Sequence, residues 1–504
     1  MTFVWQQGGK MFEMLLFTII SIVVARLLGP EKSGVYAAVG AVQGMLCAFV
    51  AFGYEESLTN FLGRYSDKPG IISFILRELL KRRLMYVSLA MGLMAALASF
   101  VTASQGIRGY EWAVQLSALM GILSSLGTFF TFTLIALFDV KVNNVMRAVT
   151  LVVQLVLVVW LIRAGYGIAG AIWSFIIAMT VYLIGIAWPV VRRMLPTPER
   201  IELKPVVRFG LGLWVNALVG LVLGKQLGLI VLGAFGVEEA WRGYFNAAFN
   251  TRVLADQLML AGFGGTALAA AARLAERQGT EGLALAWRLN VRLTTLLAVP
   301  TMVFFMFQAP RAIQLLFGGA FLPAATVFLW LAAPTLIARA YGGGASSTVM
   351  SAGGMVALVV KQYVIGGVAS VVLSVLAVWL FRPYGAEAAV SALALAMGIA
   401  FIITSGLGFA VVRRVYEVRF PTAYTVKVFA ISALAGVSTL WLVGGRSLWV
   451  LPLAVQFILV FYVLARLVRP LSAEDYSVAQ KASRRISKFV RPLVGEPIPE
   501  AEEG

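Results

Sequence analysis

The sequence predicts an all-α polytopic membrane protein with fourteen transmembrane helices. They form two pseudo-symmetric six-helix bundles around a central cavity, followed by two extra C-terminal helices. Three observations carry this expectation. The first is composition: of 504 residues, 60% are hydrophobic and only 13% charged, with a mean hydropathy of +0.89. Soluble domains hold about 45–50% apolar and about 25% charged residues. A soluble enzyme, a disordered chain and a fibrous repeat are therefore excluded. The second is a succession of apolar runs, each near the roughly 20 residues that a bilayer-crossing helix needs. The third is an internal repeat.

The runs come in order. The first bundle, in a domain at 1–194, takes 11–30, 33–53, 84–105, 112–138, 145–163 and 167–190. The second, in a domain at 195–415, takes 206–232, 243–270, 286–309, 322–350, 361–381 and 387–411. The extra pair at 426–444 and 447–468 lies in 416–470, and a basic tail occupies 471–504. The first run reads as an uncleaved span, because the stretch from Ile22 to Pro30 offers no small-x-small cleavage site.

Charge sets the orientation. Lys and Arg number 41 against 23 Asp and Glu, a net +18. With the N-terminus in the cytoplasm, the opposite loops hold only seven basic residues: Lys32, Arg108, Arg163, Arg242, Arg311, Arg382 and Arg446. Four more lie inside spans and the remaining 30 are cytoplasmic. The positive-inside rule thus places both termini in the cytoplasm and explains the net charge without nucleic acid. Two basic stretches, Lys68 to Leu84 and Asp475 to Val494, alternate apolar and cationic residues as interfacial helices on anionic lipid do. The outer loops are short. Histidine is absent and Cys47 is the single cysteine, so neither His-based catalysis nor an intrachain disulfide or His/Cys metal cluster is available. No catalytic residue, metal or cofactor is expected.

The repeat has two anchors. Trp160-Leu-Ile-Arg163-Ala-Gly-Tyr166-Gly167 resembles Trp379-Leu-Phe-Arg382-Pro-Tyr384-Gly385. Leu27-Leu-Gly29 with Gly34-Val-Tyr36-Ala-Ala38 resembles Val231-Leu-Gly233 with Gly243-Tyr244-Phe-Asn-Ala-Ala248. Six spans separate the copies, so both begin on the same side. A parallel repeat implies two bundles able to rock about a site between them.

These residues carry a resemblance. Ser21-Ile-Val-Val-Ala-Arg26-Leu-Leu-Gly29-Pro30-Glu-Lys-Ser-Gly34-Val-Tyr36 resembles the opening of the polysaccharide (O-antigen-type, lipid-linked oligosaccharide) flippases of the multidrug/oligosaccharidyl-lipid/polysaccharide exporter superfamily. Leu315-Leu-Phe317-Gly318 with Ala324-Ala325 is similar to that family's stretch before span ten. Tyr384-Gly385-Ala-Glu-Ala388-Ala389 is similar to its stretch before span twelve, with Ala388 where Gly is usual. The resemblance covers essentially the whole chain. It implies a carrier of a polyprenyl-pyrophosphate-linked oligosaccharide, working alongside glycosyltransferases and a polysaccharide polymerase in the inner membrane. A peptidoglycan lipid-precursor flippase and a drug/cation antiporter of the same superfamily are the nearest alternatives. A membrane glycosyltransferase or O-antigen ligase is opposed by the short outer loops and the lack of histidine.

Charges at bilayer depth cost about 2.5–3.5 kcal/mol each on insertion scales and so need a reason. Arg26, Lys225, Arg252 and Arg339 are the deep cations, and Asp256 is the deep carboxylate. A pyrophosphate entering a dry cavity needs fixed cations, and a guanidinium fork can bond two phosphate oxygens at once. These four cations with Asn250 are the expected substrate-binding set. Arg252 and Asp256, four apart, share a helix face; Asp256 is also the candidate coupling carboxylate. Asn216, Asn246, Gln154 and Gln257 are weaker candidates for sugar hydroxyls, with interhelical hydrogen bonding the commoner use. Pro334 and the run Gly342-Gly343-Gly344 mark a hinge in span ten.

Overall fold

Gly29 governs how the chain starts. In the computed structural model it adopts φ 76°, ψ 170°, a region open to glycine but not to residues with a Cβ. Pro30 follows and has no N–H to continue a helical ladder. Helix α1 (Thr2–Phe49) is therefore two arms joined at a break, and these arms carry the first two predicted spans. The structure describes residues 2–65, 67–137, 139–195, 197, 199–260, 263–440, 447–471 and 491–494. The predicted amphipathic tail and its basic cluster lie outside these residues, apart from 491–494.

The other helices are α2 (Tyr54–Arg64), α3 (Pro69–Ala96), α4 (Ala98–Ser104), α5 (Glu111–Ala136), α6 (Val140–Leu161), α7 (Gly167–Val191), α8 (Lys204–Val222), α9 (Lys225–Ala234) and α10 (Glu239–Leu260). They continue with α11 (Phe263–Phe307), α12 (Ala309–Phe317), α13 (Ala324–Ala340), α14 (Ala345–Ala352), α15 (Val356–Phe381), α16 (Ala386–Tyr416), α17 (Thr422–Val437) and α18 (Val450–Val468). The protein is an all-helical, polytopic membrane protein. Among the described residues, eight helices are long and apolar enough to cross a membrane, or ten if the bent pairs α3–α4 and α13–α14 each count as one span. That count differs from the number of apolar runs for local reasons. Two runs share α1, and α6 and α7 follow one another through a π-turn, while α10 is not apolar enough to be counted and α17, with 16 residues, is too short.

Both copies of the Trp-Leu-x-Arg motif occupy the same kind of place. The first forms the α6–α7 turn, with Gly165 at φ 94° and Gly167 at φ 51°; the second forms the α15–α16 turn, with Gly385 at φ 109°. Trp160 and Trp379 stand exposed there, as interfacial aromatics do.

The chain divides into two compact units, Met1–Asn250 with Tyr363–Ala400, and Thr251–Gln362 with Phe401–Gly504. The first has two apolar cores. One joins Ile20, Val24 and Val35 of α1 to Met91, Leu151 and Ile172. The other joins Leu58 of α2 to Ile75, Leu76, Phe129 and Ile186. The predicted interfacial stretch from Lys68 to Leu84 is the opening of α3 and runs on without interruption. Of its predicted apolar residues, Ile75 and Leu79 lie in this second core with Ile72 and Leu76, and Ile71 packs against it. In the second unit Trp287 stacks on Phe409 at 5.4 Å and its indole N–H donates to Ser346 Oγ at 3.0 Å.

A buried ion pair ties α2 to α3: Arg83 Nη2 donates to Glu55 Oε1 at 2.7 Å, with side chains 3% and 8% exposed. The sequence places Arg83 in a basic interfacial run, and nothing in that run marks it as different from Arg82. Removing one member leaves a buried charge, which typically costs about 3–5 kcal/mol. Arg83→Ala is therefore expected to lower the melting temperature of the purified protein sharply. The double variant Arg83→Leu/Glu55→Leu should recover most of it, and thermal unfolding in detergent measures both.

Candidate functional site

Lys225 is the first residue of α9, directly after the extended Gly224. A helix start presents unpaired backbone N–H groups and the positive end of the dipole. A lysine there reinforces that field instead of offsetting it, an arrangement suited to an anion. Its ammonium is held by two acceptors, Asn246 Oδ1 and Asn250 Oδ1, both at 3.0 Å. Asn250 Nδ2 in turn donates to Ser21 Oγ at 2.9 Å. Asn246 and Asn250 are four apart on α10, so one helix face supplies both. Two of the three ammonium donors are thus used.

These groups line a cavity of about 200 Å³ within the first unit, with Ser21 and Tyr36 from α1, Gln154 from α6 and Gln226 beside Lys225. Gln154 is 8% exposed. Among the described residues its amide makes no hydrogen bond. An amide open to the cavity beside an ammonium with one donor left over makes this cavity a candidate ligand site.

A second cluster lies in the other unit. Asp256 Oδ2 accepts from Arg339 Nη2 at 3.1 Å and lies 3.6 Å from Arg252 Nη1. The pairing of Arg252 with Asp256 expected from their spacing is present, but Arg339 is the nearer partner. Two guanidiniums on one carboxylate leave a positive charge in excess. Arg339 Nη1 also donates to the Gly343 carbonyl at 3.2 Å, and its guanidinium lies 5.5 Å from the Phe401 ring centroid. It therefore links Asp256 to the break between α13 and α14. That break falls at Tyr341–Gly344, with Gly342 at φ 76° and Gly344 at φ 95°, and the helices bend by 41°. Helix α13 passes through Pro334 without interruption.

The structure thus gathers Lys225 and Asn250 in one unit and Arg252, Asp256, Arg339 and the triple-glycine break in the other. Arg26 is exposed on α1 and is not among the residues lining the Lys225 cavity. The side chain of Asn216 lies outside the described residues. Arg242, assigned by sequence to an outer loop, is 1% exposed. It donates from Nε to the Val237 carbonyl at 2.8 Å and from Nη1 to the Gln105 carbonyl at 2.7 Å. Tyr36 was not foreseen as a site residue. Its place in the repeat motif, one turn beyond Ser33, was the available signal.

The family described as "Polysaccharide biosynthesis protein" matches residues 23–326, more than half of the chain. Among solved structures, the lipid II flippase MurJ in an inward closed conformation superposes with TM-score 0.73 at 14% identity, covering 92% of this chain and 98% of that one. An inward-facing multidrug resistance MATE family transporter of the MOP superfamily gives 0.60 at 17% identity, covering 82% and 98%. A MOP superfamily transporter from Pyrococcus furiosus, reported with a binding pocket of reverse polarity, gives 0.58 at 16% identity, covering 82% and 95%. These likenesses establish the fold. No curated protein matches the sequence.

Proposed function

We propose that this chain, which belongs to the polysaccharide biosynthesis protein family, is a flippase for cell-surface polysaccharide synthesis. It carries a polyprenyl-pyrophosphate-linked oligosaccharide from the cytoplasmic to the outer leaflet of the inner membrane by alternating access. Both termini are cytoplasmic, and glycosyltransferases and a polymerase are the expected neighbours in the pathway. The observation that carries this reading is the Lys225 cavity: a cation at a helix start that, among the described residues, has one ammonium donor uncommitted and shares the cavity with the Gln154 amide, which makes no hydrogen bond among them. A drug/cation antiporter would place the opposite charge there. Arg252 and Arg339 add a second cationic station. The double bridge at Asp256 supports a positioning role for that carboxylate, with the membrane potential as the driving force. Moving an anion outward through an inside-negative potential is favourable by about 2.3 kcal/mol per charge per 100 mV.

The second reading is a flippase for the peptidoglycan lipid precursor, and the superposition on MurJ over nearly the whole of both chains favours it. One experiment addresses both. The purified protein is reconstituted in vesicles, and the transfer of polyprenyl-pyrophosphate oligosaccharide and of lipid II is followed under an imposed potential. Transfer of the oligosaccharide lipid, lost in the Arg252→Ala/Arg339→Ala variant, is the expected result. Transfer of lipid II alone selects the second reading. Transport of organic cations in place of either lipid overturns both.

A further inference from the structure

The Lys225 cavity has a neighbour. A space of about 240 Å³ lies in the same unit and shares Phe175 as a wall. Three helices present a single face to both. On α1, Glu13 lines the neighbour, while Phe17 and Ser21, at successive four-residue steps, line the first cavity. On α5, Met120 borders the first and Ser124, Thr128 and Thr131 the second; on α6, Gln154 borders the first and Arg147 and Asn143 the second. Residues three and four apart stand above one another on a helix. The two spaces are therefore successive lengths of one furrow.

The chemistry of the two lengths differs. The Lys225 end is cationic. The other end is balanced, because Arg147 Nε donates to Glu13 Oε1 at 2.7 Å. That pair is not sealed off, with side chains 28% and 37% exposed. The Arg147 guanidinium lies 5.5 Å from the Tyr182 ring centroid; among the described residues its Nη groups and the second oxygen of Glu13 make no hydrogen bond. Around them are hydroxyls and an amide: Tyr182 donates to Asn143 Oδ1 at 2.7 Å and shares a 2.6 Å contact with Thr131, while Thr128 is exposed. A carboxylate that only accepts beside a guanidinium that only donates suits a group that does both at adjacent positions. Vicinal hydroxyls of a sugar are such a group. With no excess charge, this end favours neither a free anion nor a free cation.

We infer that the furrow holds one ligand in a fixed direction. Its phosphate lies at Lys225, and the sugar nearest that phosphate lies between Glu13, Arg147 and Thr128. This subsite rests on the proposed flippase reading and adds where the saccharide is read. None of its residues was nominated from the sequence, where Glu13 and Arg147 are single charges 134 positions apart.

The test compares two probes on the purified full chain. One is bare polyprenyl pyrophosphate; the other is the same lipid bearing a single neutral hexose or N-acetylhexosamine. Binding is measured by titration calorimetry. The wild type should bind the better sugar-bearing lipid about tenfold more tightly than the bare one, the scale of one or two net hydrogen bonds. Glu13→Gln and Thr128→Val should bring that ratio near one while leaving the affinity for the bare lipid unchanged. Thr128 is exposed, so its variant keeps the fold. Lys225→Ala should weaken both lipids equally. Equal binding of all probes by the wild type overturns the subsite, as does a loss that falls equally on the bare lipid. So does a Glu13→Gln variant that changes only the proton or sodium dependence of transport. If instead the sugar preference responds as expected but Lys225→Ala leaves the bare lipid unaffected, the sugar subsite stands and the phosphate assignment fails.

Discussion

Replacement of Lys225 by alanine is expected to weaken binding of a pyrophosphate-bearing lipid about 10- to 150-fold, the equivalent of the ~1.5–3 kcal/mol typical of a hydrogen bond to a charged group. Transfer should fall with it. The reason is local. The ammonium stands at the start of α9, held at 3.0 Å by Asn246 and Asn250, and it lines the cavity proposed to receive the anion. Lys225→Arg should keep most of the affinity, because charge is retained and a fork can still engage phosphate. Lys225→Met, which keeps the stem and removes the charge, should behave like alanine. A purely structural lysine would behave otherwise. It would act as glue between Asn246, Asn250 and Ser21, so the melting temperature would fall in all three variants while the affinity of the surviving folded protein stayed the same. Measuring both quantities on the same preparations separates these outcomes.

Much of this architecture is legible in the amino-acid sequence, because a bilayer imposes long apolar helices and leaves no other lipid-exposed solution to a helical chain. Every predicted apolar run is helical over most of its described length, with breaks such as Gly224 and Tyr341–Gly344 inside two of them. Breaks are legible where glycine and proline impose them, as at Gly29-Pro30 and Gly342-Gly343-Gly344. The site is legible only in part. A deep charge announces itself by its cost, which is why Lys225, Arg252, Asp256 and Arg339 stand out. What surrounds each depends on tertiary packing. The Arg252–Asp256 pair follows from a four-residue spacing, but the closer bond from Arg339 crosses 83 positions and has no periodic signal. Arg83 and Arg242 were hidden for a related reason. Arg83 follows Lys81 and Arg82 in the middle of α3, and Arg242 follows Glu238 and Glu239 in the first turn of α10; among such charged neighbours exposure is the default, and only the fold shows that Glu55 or a pair of carbonyls lies against each.

The other large effect concerns the repeat itself. Gly34 and Gly243 are the glycines that the two motif copies align. An ideal Cβ on Gly34 would lie 1.8 Å from the Glu239 carbonyl oxygen, and one on Gly243 would lie 2.0 Å from the Pro30 carbonyl oxygen. Each glycine thus admits the backbone at the start of the other copy's helix. This is the reciprocal contact that an approximate two-fold relation demands, where position i meets j and j meets i. Neither has a positive φ, so the requirement is space alone. Alanine at either position must push two backbones apart, and overpacking of this kind costs about 1–3 kcal/mol. Gly34→Ala and Gly243→Ala are each expected to lower the melting temperature clearly. Gly40→Ala and Gly44→Ala, on the same helix with nothing within 4 Å of an added Cβ, should leave it unchanged. The double variant is the sharper measurement. If one crossing is responsible, the separation that relieves the first clash also relieves the second, so the double variant should cost less than the two single losses together. Strict additivity would mean two independent contacts and would remove the symmetric crossing as the feature that selects glycine at both positions.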